Sequence, residues 1–127
     1  MIKILLVEDE KETADRIAKL LGRKGYEVDV KYDLAGALSS DISSYRIILL
    51  DILLKGEKSF PFLKKIKAEY PAVPVIIVSA YDNDENITEV KKLKADGIMT
   101  KPIVIEQLES FINSKLKLTN NENTYEK

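Results

Sequence analysis

Cysteine and histidine are both absent from this chain of 127 residues. Without cysteine there can be no disulfide, thiolate zinc site or thiol nucleophile, a pattern that fits a cytoplasmic protein. The missing histidine excludes more: Ser-His and Cys-His triads, imidazole metal ligands and any phosphohistidine formed on this chain. Carboxylates, hydroxyls and amines must carry whatever chemistry exists. No run approaches the ~18 apolar residues of a membrane span. The first apolar stretch is short and ends in acids, so a signal peptide is not expected either. With 20 Lys+Arg against 21 Asp+Glu the net charge is −1, which leaves no basic field for direct contact with nucleic acid or an anionic membrane.

What is present is a set of four apolar runs, each stopping at a polar residue. Ile4-Leu5-Leu6-Val7 leads into Glu8-Asp9-Glu10, and Ile47-Ile48-Leu49-Leu50 into Asp51. Val75-Ile76-Ile77-Val78 leads into Ser79-Ala80, and Gly97-Ile98-Met99-Thr100 into Lys101-Pro102. Read as parallel strands of one sheet, they bring Glu8, Asp9, Asp51, Ser79 and Lys101 to the carboxyl edge, where open α/β sheets place their ligands.

Helical periodicity fills the intervals. Residues 11–24 carry Ala14, Ile17, Ala18 and Leu21 on one face, and Gly25 is placed to end that helix in the left-handed conformation. Val28, Val30 and Tyr32 alternate with charged residues, as in a half-exposed edge strand. Asp33 is placed to cap a short helix bearing Leu34, Ala37 and Leu38, with Ile42 as a further candidate. Ser59 is expected to cap a third helix with Pro61 in its first turn, presenting Phe62, Leu63 and Ile66. Asn83 or Asp84 starts a fourth, with Ile87, Val90 and Leu93 inward. The fifth spans Val104 to Leu118, its apolar side made by Leu108, Phe111, Ile112 and Ile105. Right-handed crossovers then predict a doubly wound α/β fold, a five-stranded parallel sheet of order 2-1-3-4-5 within one domain over residues 1–118. Residues 119–127 are polar and read as a tail or the start of a linker to a further domain.

A carboxylate at Asp51 can accept a phosphoryl group as an acyl phosphate. Three acids at one point repel unless a cation sits among them. Magnesium suits the role, since it takes one or two protein carboxylates and keeps several waters. Glu8 and Asp9 would supply that shell. Lys101 adds a movable positive charge, and the Ser79 hydroxyl can bond a phosphoryl oxygen.

These segments, ILLVEDE over 4–10, IILLDIL over 47–53, VIIVSA over 75–80 and Thr100-Lys101-Pro102, resemble the receiver domains of two-component response regulators. The resemblance covers residues 2 to about 117 and includes the single-domain chemotaxis and phosphorelay forms, which share the flavodoxin-like (βα)5 topology. It implies Asp51 as phospho-acceptor, Asp9 and Asp51 as Mg2+ ligands, Glu8 acting mostly through water, and Leu53 lending its backbone carbonyl to the metal. Ser79 would be the switch hydroxyl and Lys101 the lysine that contacts the phosphoryl group. A sensor histidine kinase or histidine phosphotransfer protein would be the donor. Output would pass to a partner protein or to an effector domain beyond residue 127. The protein itself would act as a phospho-acceptor with slow autodephosphorylation rather than as an enzyme on other substrates.

Four positions depart from the family pattern. Ile98 stands where an aromatic switch residue is usual, Lys55 where proline is common, and Ser59 and Lys94 where glycine is common. A left-handed helix end at Lys94 would cost on the order of 1 kcal/mol. Three rivals fare worse against these residues. A haloacid-dehalogenase-type phosphatase needs an acid two residues after its nucleophile, where this chain has Leu53. A flavodoxin-like cofactor carrier needs a Ser/Thr/Gly-rich turn after the first strand, where Glu8-Asp9-Glu10 would repel phosphate. A phosphate-independent receiver-like interaction module would be expected to lose site residues, and all are kept.

Overall fold

The computed structural model describes residues 1–80 and 83–117, so Leu118 and the expected tail over 119–127 lie outside the described residues. The elements run β1 (Lys3–Val7), α1 (Lys11–Arg23), β2 (Glu27–Lys31), α2 (Leu34–Leu38), a 3-10 turn (Ile42–Ser44), β3 (Ile47–Leu50), β4 (Leu53–Leu54), β5 (Glu57–Lys58), α3 (Phe60–Glu69), β6 (Val75–Ser79), α4 (Asp84–Lys92), β7 (Gly97–Thr100) and α5 (Ile105–Lys115). Five strands pair in parallel in the order β2-β1-β3-β6-β7. With the small β4–β5 ribbon set aside, this is the flavodoxin-like 2-1-3-4-5 arrangement read from the sequence.

The central strands are apolar on both sides because both sides are covered. Successive side chains of a strand point to opposite faces. Leu5, Val7, Ile48, Leu50, Val75 and Ile77 accordingly pack with Ala37, Phe62, Leu63, Ile66 and Val90 of α2, α3 and α4. Ile4, Leu6, Ile47, Leu49, Ile76 and Val78 pack with Ala14, Ile17, Leu21, Leu108 and Ile112 of α1 and α5. Each fully buried side chain of this size contributes roughly 1.5–3 kcal/mol of hydrophobic stabilisation. The edge strand β2 is exposed at Glu27 and only partly buried beyond it, as its alternation predicts. Among the described residues no helix is long and apolar enough to cross a membrane.

Several local expectations hold in detail. The Asp33 carboxylate caps α2 by accepting from the Gly36 N–H at 2.7 Å, and Asn83 caps α4 by accepting from the Asn86 N–H at 2.8 Å. Gly25 ends α1 with φ of 98°. Others are corrected. Helix α2 stops at Leu38, which is 44% exposed, and Ile42 is buried instead from the separate 3-10 turn. Ser59 stands at the start of α3, but its hydroxyl does not cap the helix; it donates to the Asp51 carbonyl at 2.5 Å. The buried residues of α4 are Asn86 and Val90, while Ile87 and, just past the helix, Leu93 are half-buried, so the inward stripe includes an asparagine that the apolar pattern did not mark.

The β4–β5 ribbon was not expected from the pattern. Leu53 pairs with Lys58 and Leu54 with Glu57, around a two-residue turn with φ of 50° at Lys55 and 81° at Gly56. Positive φ at both turn residues is the signature of a type I′ hairpin. Proline, locked near −65°, could not occupy position 55 in this turn and would have no N–H to donate.

Lys94 does end α4 in the left-handed region, at φ of 69°, with its N–H donating to the Lys91 carbonyl and the Ala95 N–H to that of Val90. Lys94→Gly should therefore raise stability by about 1 kcal/mol in denaturant unfolding, because glycine removes the Cβ clash without disturbing these bonds. An unchanged or lowered unfolding midpoint would show that the turn carries no such strain.

Candidate functional site

Parallel register sets the site. Val7 lies beside Leu50, Leu50 beside Ile77, and Ser79 beside Thr100, so the polar residues that follow emerge at one edge. The hydrogen-bond ladder continues past the strands: Glu8 N–H donates to the Lys31 carbonyl at 3.0 Å, Asp51 N–H to that of Val7 at 3.1 Å, and Lys101 N–H to that of Ser79 at 3.0 Å. Glu8, Asp51 and Lys101 are thus held by bonds that extend the sheet backbone. Glu8, Asp9, Glu10, Asp51, Leu53, Gly56, Ser79, Ala80 and Lys101 line one cleft of ≈ 310 Å³. All the residues expected from the sequence to act together meet there.

Glu8, Asp9 and Asp51 each offer a carboxylate oxygen within 4.8 Å of the others. Glu8 and Ser79 are only 2% exposed, and Asp51 8%. Such a cluster of like charges needs a counter-charge, and Lys101 supplies one. Its ammonium donates to Asp51 Oδ2 at 2.8 Å and to Glu8 Oε1 in a short contact. Among the bonds of the described residues, Asp51 Oδ1 receives a long approach from the Leu53 N–H, at 3.4 Å. Asp9 Oδ2 accepts the Lys55 N–H at 2.8 Å, and Glu8 Oε2 the Glu10 N–H at 3.0 Å.

The balance of forces differs at the two ends of the Lys101–Glu8 pair. Burial pushes the Glu8 carboxyl above its ordinary value; hydrogen bonds from Lys101 and the Glu10 N–H pull it down, Asp51 pushes it up, and the net shift is upward. Burial works to lower the Lys101 ammonium, yet its bonds to Asp51 and Glu8 and their charges outweigh that and raise it. The lysine therefore stays charged while the acids share it. All three carboxylates offer hard oxygen donors, which suits a hard cation such as magnesium and not one that needs nitrogen or sulfur.

Two contributors escaped the sequence reading. The Lys55 main-chain N–H on Asp9 depends on the hairpin, and its one sequence signal was the glycine at position 56. The Ser59 hydroxyl donates to the Asp51 carbonyl and ties the start of α3 to it, whereas a serine before an apolar helix ordinarily accepts from that helix's own N–H groups as its cap.

Residues 4–113 match the response regulator receiver domain family. The sensory transduction protein RegX3 of Mycobacterium tuberculosis is 36% identical over 118 residues, which is 92% of this chain and 52% of that protein. The transcriptional regulatory protein DltR of Streptococcus agalactiae is 32% identical over 108 residues, 84% of this chain and 48% of that one. The chain thus spans about half the length of these curated relatives. Among solved structures, a CheY-like response regulator receiver domain protein of Methanospirillum hungatei superimposes with a TM-score of 0.85 at 26% identity, covering 100% of this chain and 99% of that one. A two-component response regulator of Clostridium difficile has the same fold, with a TM-score of 0.86 at 24% identity over 94% of this chain and 99% of its own.

The upward shift at Glu8 has a consequence for the metal-free protein. A carboxyl whose folded pKa exceeds its unfolded 4.5 adds stability below pH 4.5, and that increment is lost as pH rises through the folded value. Unfolding midpoints measured in a chelator should therefore move in favour of Glu8→Gln, relative to the parent, as pH rises above 4.5. A difference independent of pH, or one moving the other way, would mean that Lys101 fully compensates the buried carboxylate.

Proposed function

The chain belongs to the response regulator receiver domain family, and from that premise we propose that it accepts a phosphoryl group on Asp51 from a sensor histidine kinase or a histidine phosphotransfer protein. The observation that carries this reading is the Lys101 ammonium bonded to Asp51 inside a cluster of three carboxylates. Receivers are phospho-acceptors of two-component systems and generally bind Mg2+ at an acidic pocket. In this chain Asp9 and Asp51 would hold the ion directly, Glu8 through water, and Leu53 by its backbone carbonyl. When bound, the ion draws charge from the oxygens of the transferring group.

The transfer forms one bond and breaks one. A carboxylate oxygen of Asp51 attacks phosphorus, and Oδ1 is the less engaged of the two. The P–N bond of the donor phosphohistidine breaks with its electron pair leaving on nitrogen, which takes up a proton. Lys101 is close enough to follow the charge as it moves from the carboxylate to the new phosphoryl oxygens. Ser79, buried at the end of β6 and lining the cleft, would donate its hydroxyl to one of those oxygens.

Residues 1–118 would form the receiver unit, and the half-length match to regulators suggests an effector domain or a separate output protein as the recipient of the signal. Ile98 is half-buried and packed against the cluster shared with α3 and α4, so it would act as a fixed apolar contact rather than a moving ring.

Acetyl phosphate or phosphoramidate with magnesium should add one phosphate to the intact protein by mass spectrometry, and omission of magnesium or Asp51→Asn should abolish it. Equal labelling of Asp51→Asn would remove Asp51 as the acceptor.

A further inference from the structure

The segment that follows Asp51 touches the acid cluster at one end and α4 at the other. At the near end, the Lys55 N–H donates to Asp9 Oδ2 at 2.8 Å; the Ser59 hydroxyl, next in sequence to Lys58, donates to the Asp51 carbonyl. At the far end, the Lys58 ammonium donates to Asn86 Oδ1 at 2.8 Å. Between them the β4–β5 ribbon is short, closed by a tight turn and rooted in the core by Leu54, which is 1% exposed.

Asn86 is an unusual residue for its place. It is 3% exposed on the inward face of α4, where an apolar side chain would ordinarily pack. Its N–H is held by the Asn83 cap and its side-chain oxygen by Lys58. Besides Asn86, Val90 is the only buried residue of α4, so the helix has few apolar anchors to the core. Withdrawing the Lys58 ammonium would leave a buried amide oxygen without this charge-assisted bond, which destabilises the first turn of α4 more than loss of a surface contact would.

We propose that residues 53–58 form a relay in which the Lys58–Asn86 hydrogen bond couples occupancy of the acid cluster to the order of α4. The inference rests on the reading of Glu8, Asp9 and Asp51 as the magnesium and phosphoryl site. A cation bound at Asp9 draws charge from the carboxylate that also accepts the Lys55 N–H, which weakens or re-aims that bond and shifts the ribbon with it. That shift is transmitted over the length of the ribbon to Lys58, whose ammonium lies 5.5 Å from the centroid of the Phe60 ring. The relay needs no ring at position 98. It does need the Lys55 N–H, which a proline there would abolish.

Amide hydrogen exchange over residues 84–92, with and without magnesium plus beryllofluoride, tests it in the parent, Lys58→Met and Lys58→Arg. Thermal stabilisation by the same additives reports binding separately. In the parent, exchange in α4 should speed up by a factor of about five or more on binding, in the range of ordinary coupling between sites. Lys58→Met should show the faster exchange already without additives and no further change on binding, and reciprocity requires it to bind magnesium–beryllofluoride more tightly by the same factor. Lys58→Arg, which keeps the donor, should behave as the parent. An α4 response in Lys58→Met equal to that of the parent would overturn the relay while leaving the site intact. Absence of any stabilisation by magnesium–beryllofluoride in the parent would overturn both the site reading and the relay.

Discussion

Three carboxylates, those of Glu8, Asp9 and Asp51, are held within 4.8 Å of one another, and a single ammonium stands between two of them. Like charges in a cleft this buried repel strongly, so the arrangement carries a standing cost. It persists because the sheet leaves no alternative. The residues leave β1 and β3 on continuing ladder bonds, and the strands on either side are anchored by apolar side chains on both faces. The hydrophobic core thus supplies the free energy that keeps the acids together, and the acids supply a site whose repulsion a cation or a phosphoryl group can relieve or redistribute. Stability and function are linked at this edge of the sheet.

Much of the architecture was legible because it rests on patterns that few structures satisfy. Apolar runs such as 47–50 demand cover on both sides, and the alternation of 27–31 demands an edge; together they leave few strand orders open. Asp33, Asn83 and Gly25 marked helix boundaries through local chemistry that depends little on the rest of the molecule. What failed was local chemistry overridden by a neighbour. Ser59 had a choice between its own helix and the Asp51 carbonyl, and the tertiary partner won. Asn86 rather than Ile87 faces inward because Lys58, distant in sequence, provides a partner for its amide. No periodicity within α4 carries that information.

The candidate site was legible for a similar reason. Side chains at strand ends can be placed once the topology is known, and Glu8, Asp9, Asp51, Ser79 and Lys101 all line the same cleft. Main-chain donors cannot be placed that way. The Lys55 N–H reaches Asp9 through a turn with two positive φ angles, and only one of its residues is glycine. The departures from the family pattern at Lys55, Ser59 and Ile98 meet in one physical account: two of them build contacts around the acceptor loop, and the third removes a moving ring from the other side of the site.

If Lys101 serves as the resident counter-charge of the cluster, a divalent cation and the lysine are in competition for the same negative potential. Calorimetric titration of magnesium into the parent and into Lys101→Met at pH 8 measures that competition directly. The account predicts binding tighter by about tenfold in the variant, because a positive charge a few ångströms from the ion is worth at least about 1.4 kcal/mol even when well screened. Equal or weaker binding in Lys101→Met would contradict it, and would mean that the three carboxylates are not the site at which the cation is held.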